Sequence, residues 1–367
     1  MQPHGGRLRY IDGLRGIAIV MVMIWHFMGP TDAEMLPYGD RYASLPMVSS
    51  GWMGVELFFL ISGFVIFMTV ERCNGFRDFA MRRFQRLYPA MLIATVFLFA
   101  MDRLLGIEGP HGSARALDLL PGLSFISPAF WHAILNLPIK SLSNVFWTLY
   151  VECAFYLIFG VAFFKFGWKH ALALIFGLFV LTQVAETIFP IVHAPRLIVR
   201  AFEPAEWLGF QFFGWFTSGA LFFKAIQRND TKIFALAIVT GLIAAFALKA
   251  GFPLSMAQHL QLMGIVALFA ISHKSVAARK ALDTRFLVFA GAISYPLYLI
   301  HSNMGVGLLA KGKTLSGLVS GEVVALAVVV VVVAFAWLIE RFAEPWVKEQ
   351  MRPVTGYMKQ VLRLNPA

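Results

Sequence analysis

Two histidines and two glutamates stand inside otherwise apolar stretches of this 367-residue chain: His26, Glu56, Glu152 and His301. Ionisable groups are costly in hydrocarbon, and where they occur there they usually serve function. An imidazole titrates near neutral pH and can take or give a proton. A carboxylate beside it can orient the ring and stabilise its charged form, so these residue types are the material of general acid/base chemistry. Arg15 precedes His26 by eleven positions on the same stretch, which on a helix is about 16 Å along the axis. A second set of cations lies in Arg82-Arg83-Phe-Gln-Arg86-Leu-Tyr-Pro89. Guanidinium groups grip phosphate bidentately, so Arg15, Arg82, Arg83 and Arg86 suit a phosphate-bearing ligand. Each residue also has a plainer reading. A lone intramembrane His or Glu is often a helix–helix hydrogen-bond partner, and basic residues at an inner helix end are usually topology signals and lipid anchors. Four polar groups at one depth argue against the plainer reading.

That common depth depends on the elements that carry them. With 59% hydrophobic residues, 14% charged residues and a mean hydropathy of +0.72, the chain departs far from soluble domains, at roughly 45–50% apolar and about 25% charged. Soluble, disordered and disulfide-scaffold classes are excluded. Ten apolar stretches approach the roughly 20 residues that span a bilayer: 14–29, 51–70, 87–101, 145–164, 170–189, 207–223, 233–250, 258–273, 286–309 and 323–339. The expected fold is all-α, a polytopic membrane bundle of about ten transmembrane helices. The third stretch is short, which suggests a tilted or interfacial segment. Tyr295-Pro296 marks a break in the ninth. On this ruler His26, Glu56, Glu152 and His301 share a band from the midplane to the outer half, and the arginines gather at the opposite face.

Charge placement sets the orientation. Of 31 basic residues, 21 fall in one set of connecting segments and nine in the other, which by the positive-inside rule puts both termini in the cytoplasm. The net charge of +11 is therefore topological and needs no nucleic acid. Ile17–Ile24 resembles a signal core, but Trp25 and His26 interrupt it and no small-x-small cleavage site follows, so an uncleaved first helix is expected. Cys73 and Cys153 lie at opposite depths, which disfavours a disulfide, and no Cys/His spacing resembles a metal site. The bundle is expected over 1–348, with a cytoplasmic tail at 349–367. Asp12 reads as a partner of Arg15 or a helix cap. Phe58, Phe59 and Phe64 read as packing, and Trp147 as an interfacial aromatic. The Val-rich run 328–333 reads as a wall without chemistry.

Taken in order, the polar fragments resemble the acyltransferase-3 family of membrane acyltransferases. Arg9-Tyr-Ile-Asp12-Gly-Leu-Arg15-Gly-Ile-Ala with His26 is similar to that family's opening. Gly51-Trp-Met-Gly54-Val-Glu56-Leu-Phe-Phe59-Leu-Ile-Ser62-Gly63-Phe64 resembles its second-helix signature. The Arg82–Pro89 run resembles its arginine motif, and Phe146-Trp147-Thr-Leu149-Tyr-Val-Glu152-Cys-Ala-Phe155-Tyr156 its Trp-x-Leu-x-x-Glu helix. Ile293-Ser294-Tyr295-Pro-Leu-Tyr298-Leu299-Ile-His301 and Arg341-Phe-Ala-Glu344-Pro345 complete the set. Between about 165 and 285 only the number of helices matches.

The resemblance implies transfer of an acyl group, most often acetyl, from acyl-CoA to a hydroxyl of a cell-surface or exported glycan or glycolipid, in a bacterial inner membrane. Arg15, Arg82, Arg83 and Arg86 would meet the CoA phosphates at the inner face. Ser62 and Gly63 would let helices or the pantetheine arm approach closely. His26 would be the base, with Glu152 orienting its ring. Glu56 would be a second carboxylate or an acceptor contact, and His301 would stabilise the oxyanion or position the donor. The chain carries no outer hydrolase-like domain of the kind some relatives have, so activity is expected within the bundle or with a partner. The competing reading is a transporter built on the same His/Glu layer, acyl- or proton-coupled. Against it, no inverted repeat is visible and the arginine cluster would be unexplained. A membrane scaffold would leave the polar layer unexplained. The acceptor and the oligomeric state are not encoded in any recognisable motif.

Overall fold

The computed structural model describes residues 8–107, 112–248, 254–315 and 318–353. Among them the regular elements are helices and no strand forms. Seven helices are long and apolar enough to cross a bilayer: Arg9–Met28, Gly51–Val70, Phe76–Leu105, Trp147–Phe166, Trp168–Ile191, Met256–Lys274 and Gly321–Gln350. The chain is a multi-pass membrane protein. The three other apolar stretches fold differently. Two become the shorter helices Phe213–Arg228 and Thr231–Ala247. The stretch at 286–309 becomes a series of pieces, Arg285–Ala292, Ser294–Ile300, a π-helical turn His301–Val306 and Gly307–Gly312.

The arginine segment corrects the expectation of a short third span. Residues 87–101 are the middle of a 30-residue helix, Phe76–Leu105, about 45 Å long at 1.5 Å per residue. Arginine, glutamine and methionine favour helix, so the helix continues through polar turns that a hydropathy window cannot register. It runs through Pro89 and stops at Gly106, whose φ of 59° supplies the left-handed cap. The break near Pro296 exists but falls at Ile293, ahead of the proline, which sits in the first helical turn of Ser294–Ile300.

The chain divides into two compact units. The first comprises Met1–Val22, Ser49–Arg72 and Thr148–Ala292. Its centre is the Gly54–Val70 helix, apolar all round and packed on Phe213–Arg228. A Cβ on Gly63 would stand 2.0 Å from the Phe216 carbonyl oxygen, and one on Gly219 1.9 Å from that of Leu60. These two glycines are what let the backbones meet, as small residues do in membranes. Phe155 stacks on Phe216, Phe59 packs against it at a tilt, and Phe64 packs against Phe223 and Phe269. Buried Lys224 is neutralised by Glu71 at 2.5 Å.

The second unit comprises Met23–Val48, Cys73–Trp147 and Ile293–Ala367. Here Phe76–Leu105 packs against Ser294–Ile300, Leu120–Ser124 and Glu344–Gln350. The Val-rich run is both wall and lipid face: Val328 and Val332 are buried, while Val330 and Val331 are exposed. The boundary at 348 falls inside helix Glu344–Gln350, and the tail from 354 onward lies outside the described residues.

Candidate active site

His26 sits in the last turn of Arg9–Met28. Gly29-Pro30 then end the helix, and the chain turns back so that Asp32 places Oδ2 3.0 Å from His26 Nδ1. Both side chains are largely buried, at 12% and 18% exposure. A carboxylate only accepts, so Nδ1 carries the hydrogen and the lone pair of the neutral ring is on Nε2. The returning loop is fastened at several points. Tyr38 donates to the Phe27 carbonyl, and Lys313 Nζ reaches the Glu34 carbonyl at 3.0 Å. Arg41 and Tyr42 both bind Glu322 at 2.8 Å. Burial, with Tyr42 and Glu322 adding to it, pushes the Tyr38 phenol up to about 12, so it stays a donor across physiological pH.

The second histidine meets the first. The rings of His26 and His301 lie edge to face, with centroids 5.1 Å apart. His301 is fully buried and opens the π-helical turn, a distortion common at functional sites. Its Nδ1 donates to the Tyr298 carbonyl at 2.8 Å, and its Nε2 is buried with no partner. A neutral His301 therefore offers a lone pair at Nε2 and no hydrogen there. Within this unit stands a pair of imidazoles with one carboxylate, and each basic nitrogen is fixed by what holds the opposite one.

The two glutamates belong to the other unit. Glu152 Oε1 accepts from Ser62 Oγ at 2.5 Å and from the Tyr156 hydroxyl. Tyr156 is four residues on, on the same face of the helix. Glu56 is 3% exposed in the first turn of Gly54–Val70, and its Oε2 has no partner. The sequence reading gave Glu152 the task of orienting His26; the carboxylate on His26 Nδ1 is Asp32. Asp32 escaped notice because an acid in a polar loop carries no signal, although its position six residues after a helix-ending His, across Gly-Pro, is compatible with a return.

Of the arginines, Arg82 is bound by Asp78 at 3.0 and 3.1 Å, an i, i+4 pair. Arg86 lies 3.8 Å from Glu344 and 5.7 Å from the Tyr295 ring centroid, with its side chain still 44% exposed. Tyr295 in turn donates to the Leu87 carbonyl at 2.9 Å. Glu344 is buried and also receives Lys348 at 2.8 Å. Arg86 therefore keeps an open side, and among the described residues its acidic neighbour Glu344 stands beyond hydrogen-bond length, which fits a group able to take a phosphate. In the other unit Arg15 pairs with Asp12 at 3.7 Å. Gly63 is occupied by the Phe216 backbone, so its evident work is helix approach.

A multi-helix membrane fold with a buried His–Asp pair beside a second histidine defines a class, a multi-pass membrane protein with a buried polar centre. Comparison with known sequences gives the family. The acyltransferase-3 model, described as an acyltransferase domain, matches residues 8–341. The chain belongs to that family. It is similar to the acyltransferase MdmB of Streptomyces mycarofaciens, with 30% identity over 166 residues, 43% of this chain and 40% of that protein. It is also similar to the peptidoglycan O-acetyltransferase OatA of Listeria monocytogenes, with 24% identity over 334 residues, 79% of this chain and 48% of that protein. The chain thus spans less than half the length of either relative. No solved structure matches it.

Proposed function

We propose that this protein is an O-acyltransferase of the bacterial inner membrane, moving an acyl group, acetyl foremost, from acyl-CoA to a hydroxyl of a cell-surface or exported glycan or glycolipid. The observation that carries the reading is the Asp32–His26 pair, which leaves a basic Nε2 in a buried setting next to His301. A sugar hydroxyl is a poor nucleophile until its proton is removed. His26 Nε2 takes that proton as the hydroxyl oxygen attacks the thioester carbonyl, and Asp32 stabilises the imidazolium formed. When the thiolate leaves, His26 returns the proton to it. His301 is assigned to positioning, because a neutral ring with its hydrogen committed to Tyr298 cannot donate to an oxyanion. Arg86 and Arg83, with Arg82, are assigned to the phosphates of the donor. Glu152 with Ser62 and Tyr156, and Glu56, form a polar set for the donor arm or the acceptor. Acetyl as the group and glycan as the acceptor follow the relatives, one of which is named for peptidoglycan O-acetylation.

The test is transfer of label from acetyl-CoA labelled in its acetyl group to a cell-envelope glycan extract by the purified protein. His26→Ala should abolish transfer, and Arg83→Ala with Arg86→Ala should weaken acetyl-CoA binding. Full transfer by His26→Ala removes His26 as base. Unchanged acetyl-CoA affinity in the arginine variant removes the donor assignment.

A further inference from the structure

The end of the Phe76–Leu105 helix, the segments around 112–118 and 140–142, and the π-helical turn that starts at His301 close around a small cavity. Its volume is about 20 Å³, room for a water or one hydroxyl-bearing group. Two side chains on its wall are held so that one oxygen of each lacks a donor. Asn303 Nδ2 donates to the Leu142 carbonyl at 2.6 Å. That fixes the amide orientation, and Oδ1 is left buried and unpartnered. Asp102 is 7% exposed. Its Oδ2 accepts from the Ala114 N–H at 2.8 Å and the Ser113 hydroxyl at 3.4 Å, while Oδ1 is buried and unpartnered.

Buried polar atoms are almost always paired, so two orphaned acceptors on one wall specify a ligand that donates. The charges narrow its class. Asp118, also on the wall, is already committed to Arg115 and to the backbone N–H groups of Arg115 and Lys140. Lys140 also lines the cavity and is exposed, so the wall carries one cation along with the Asp102 and Asp118 carboxylates. A neutral polyol suits that balance better than either ion. Asn303 stands two residues beyond His301 on the same turn, so a group held here is anchored to the unit that carries the His26–Asp32 pair.

We infer that this cavity is an anchoring subsite for the acceptor, taking a non-reacting hydroxyl of a carbohydrate between Asp102 Oδ1 and Asn303 Oδ1. The inference rests on the acyltransferase reading above and makes Asp102 and Asn303 positioning residues. The experiment compares wild type with Asp102→Asn, which exchanges an acceptor for a donor of the same shape, and with Asn303→Asp. Two rates are followed on full-length protein: hydrolysis of acetyl-CoA without acceptor, and transfer to the envelope glycan extract at varied concentration. Thermal unfolding checks the fold. For Asp102→Asn the expected result is at least a tenfold rise in apparent KM for the extract, with hydrolysis and the KM for acetyl-CoA within twofold of wild type. Asn303→Asp, which keeps an acceptor at Oδ1 but loses the Nδ2 donor to the Leu142 carbonyl, should raise that KM as well. Wild-type acceptor KM in Asp102→Asn overturns the subsite, as does an equal loss of hydrolysis and transfer, the mark of a cavity that only houses a structural water. A wild-type protein that neither hydrolyses nor transfers overturns the acyltransferase reading itself, a separate result.

Discussion

At the scale of single residues, the orientation of one ring decides the chemistry. Asp32 holds His26 Nδ1 at 3.0 Å, so replacing the carboxylate by an amide keeps the shape and removes both the tautomer preference and the charge that stabilises imidazolium. Asp32→Asn should lower kcat by about a hundred- to ten-thousand-fold, the range expected for general-base catalysis, with KM for acetyl-CoA little changed. Loss of acetyl-CoA affinity with kcat intact would reassign Asp32 to substrate binding. His26 was legible in the sequence because an imidazole in an apolar run is conspicuous. Asp32 was not, because its role depends on a loop that folds back after Gly29-Pro30 and is tied down by Tyr38, Lys313 and Glu322. The ties through Lys313 and Glu322 join residues 279 and 280 positions apart, and no local pattern announces them. Asp118 makes a second residue-level case. Burial pushes its carboxyl upward, but the Arg115 guanidinium and the backbone N–H groups of Lys140 and Arg115 outweigh that and hold it below the ordinary 3.8. A carboxyl depressed in the fold contributes stability that is complete above the unfolded value and is lost as pH falls through the folded one. Hydrogen exchange in residues 112–143 should therefore accelerate selectively below about pH 4. Asp118→Asn should show the fast rate already at pH 7, and a pH-independent difference between the two proteins would discard the explanation.

At the scale of elements, hydropathy located the long spans and missed how two of them are built. Polar residues hide helix from a window that scores only apolarity, so the arginine segment looked like the loop before a short span. It is instead the first half of a 30-residue helix. Breaks were half legible: Tyr295-Pro296 marked the interruption that falls at Ile293, but the π-helical turn at His301 is marked by no residue type. Close helix approach was partly legible, since Ser62-Gly63 pointed to it, but the partner, Phe216, lies in a region where no motif was recognised. That contact can be tested. A methyl on Gly63 would meet the Phe216 carbonyl oxygen at 2.0 Å, backbone against backbone with no side chain to move aside. Gly63→Ala should cost about 1–3 kcal/mol, the usual range for overpacking, read as a lower midpoint of thermal unfolding in detergent. An alanine at Gly177, which has open space around it, is the control and should leave the midpoint nearly unchanged.

At the scale of the whole molecule, the sparse charges carry the orientation that the abundant apolar residues cannot. With twenty-one basic residues on one set of connections against nine on the other, the positive-inside rule predicts a cytoplasmic Glu71–Gly75 turn ahead of the arginine helix. Cys73 lies in that turn, and neither it nor Cys153 forms a disulfide among the described residues. A membrane-impermeant maleimide added to intact cells should therefore leave Cys73 unlabelled and should label it once the membrane is opened, with Cys73→Ser as the blank. The rate carries further information. Burial first, and the Asp78 carboxylate second, push the Cys73 thiol above its ordinary value, against smaller lowering effects of Arg82 and Arg83. The thiolate is the reacting form, so labelling in opened membranes should be slow at pH 7. It should climb about tenfold per pH unit as long as the thiol remains mostly protonated. Rapid labelling from outside would invert the orientation, and with it the assignment of the arginine cluster to a cytoplasmic acyl-CoA. A rate flat between pH 7 and 9 would instead leave the orientation standing and refute the half-buried, acid-flanked environment of the thiol.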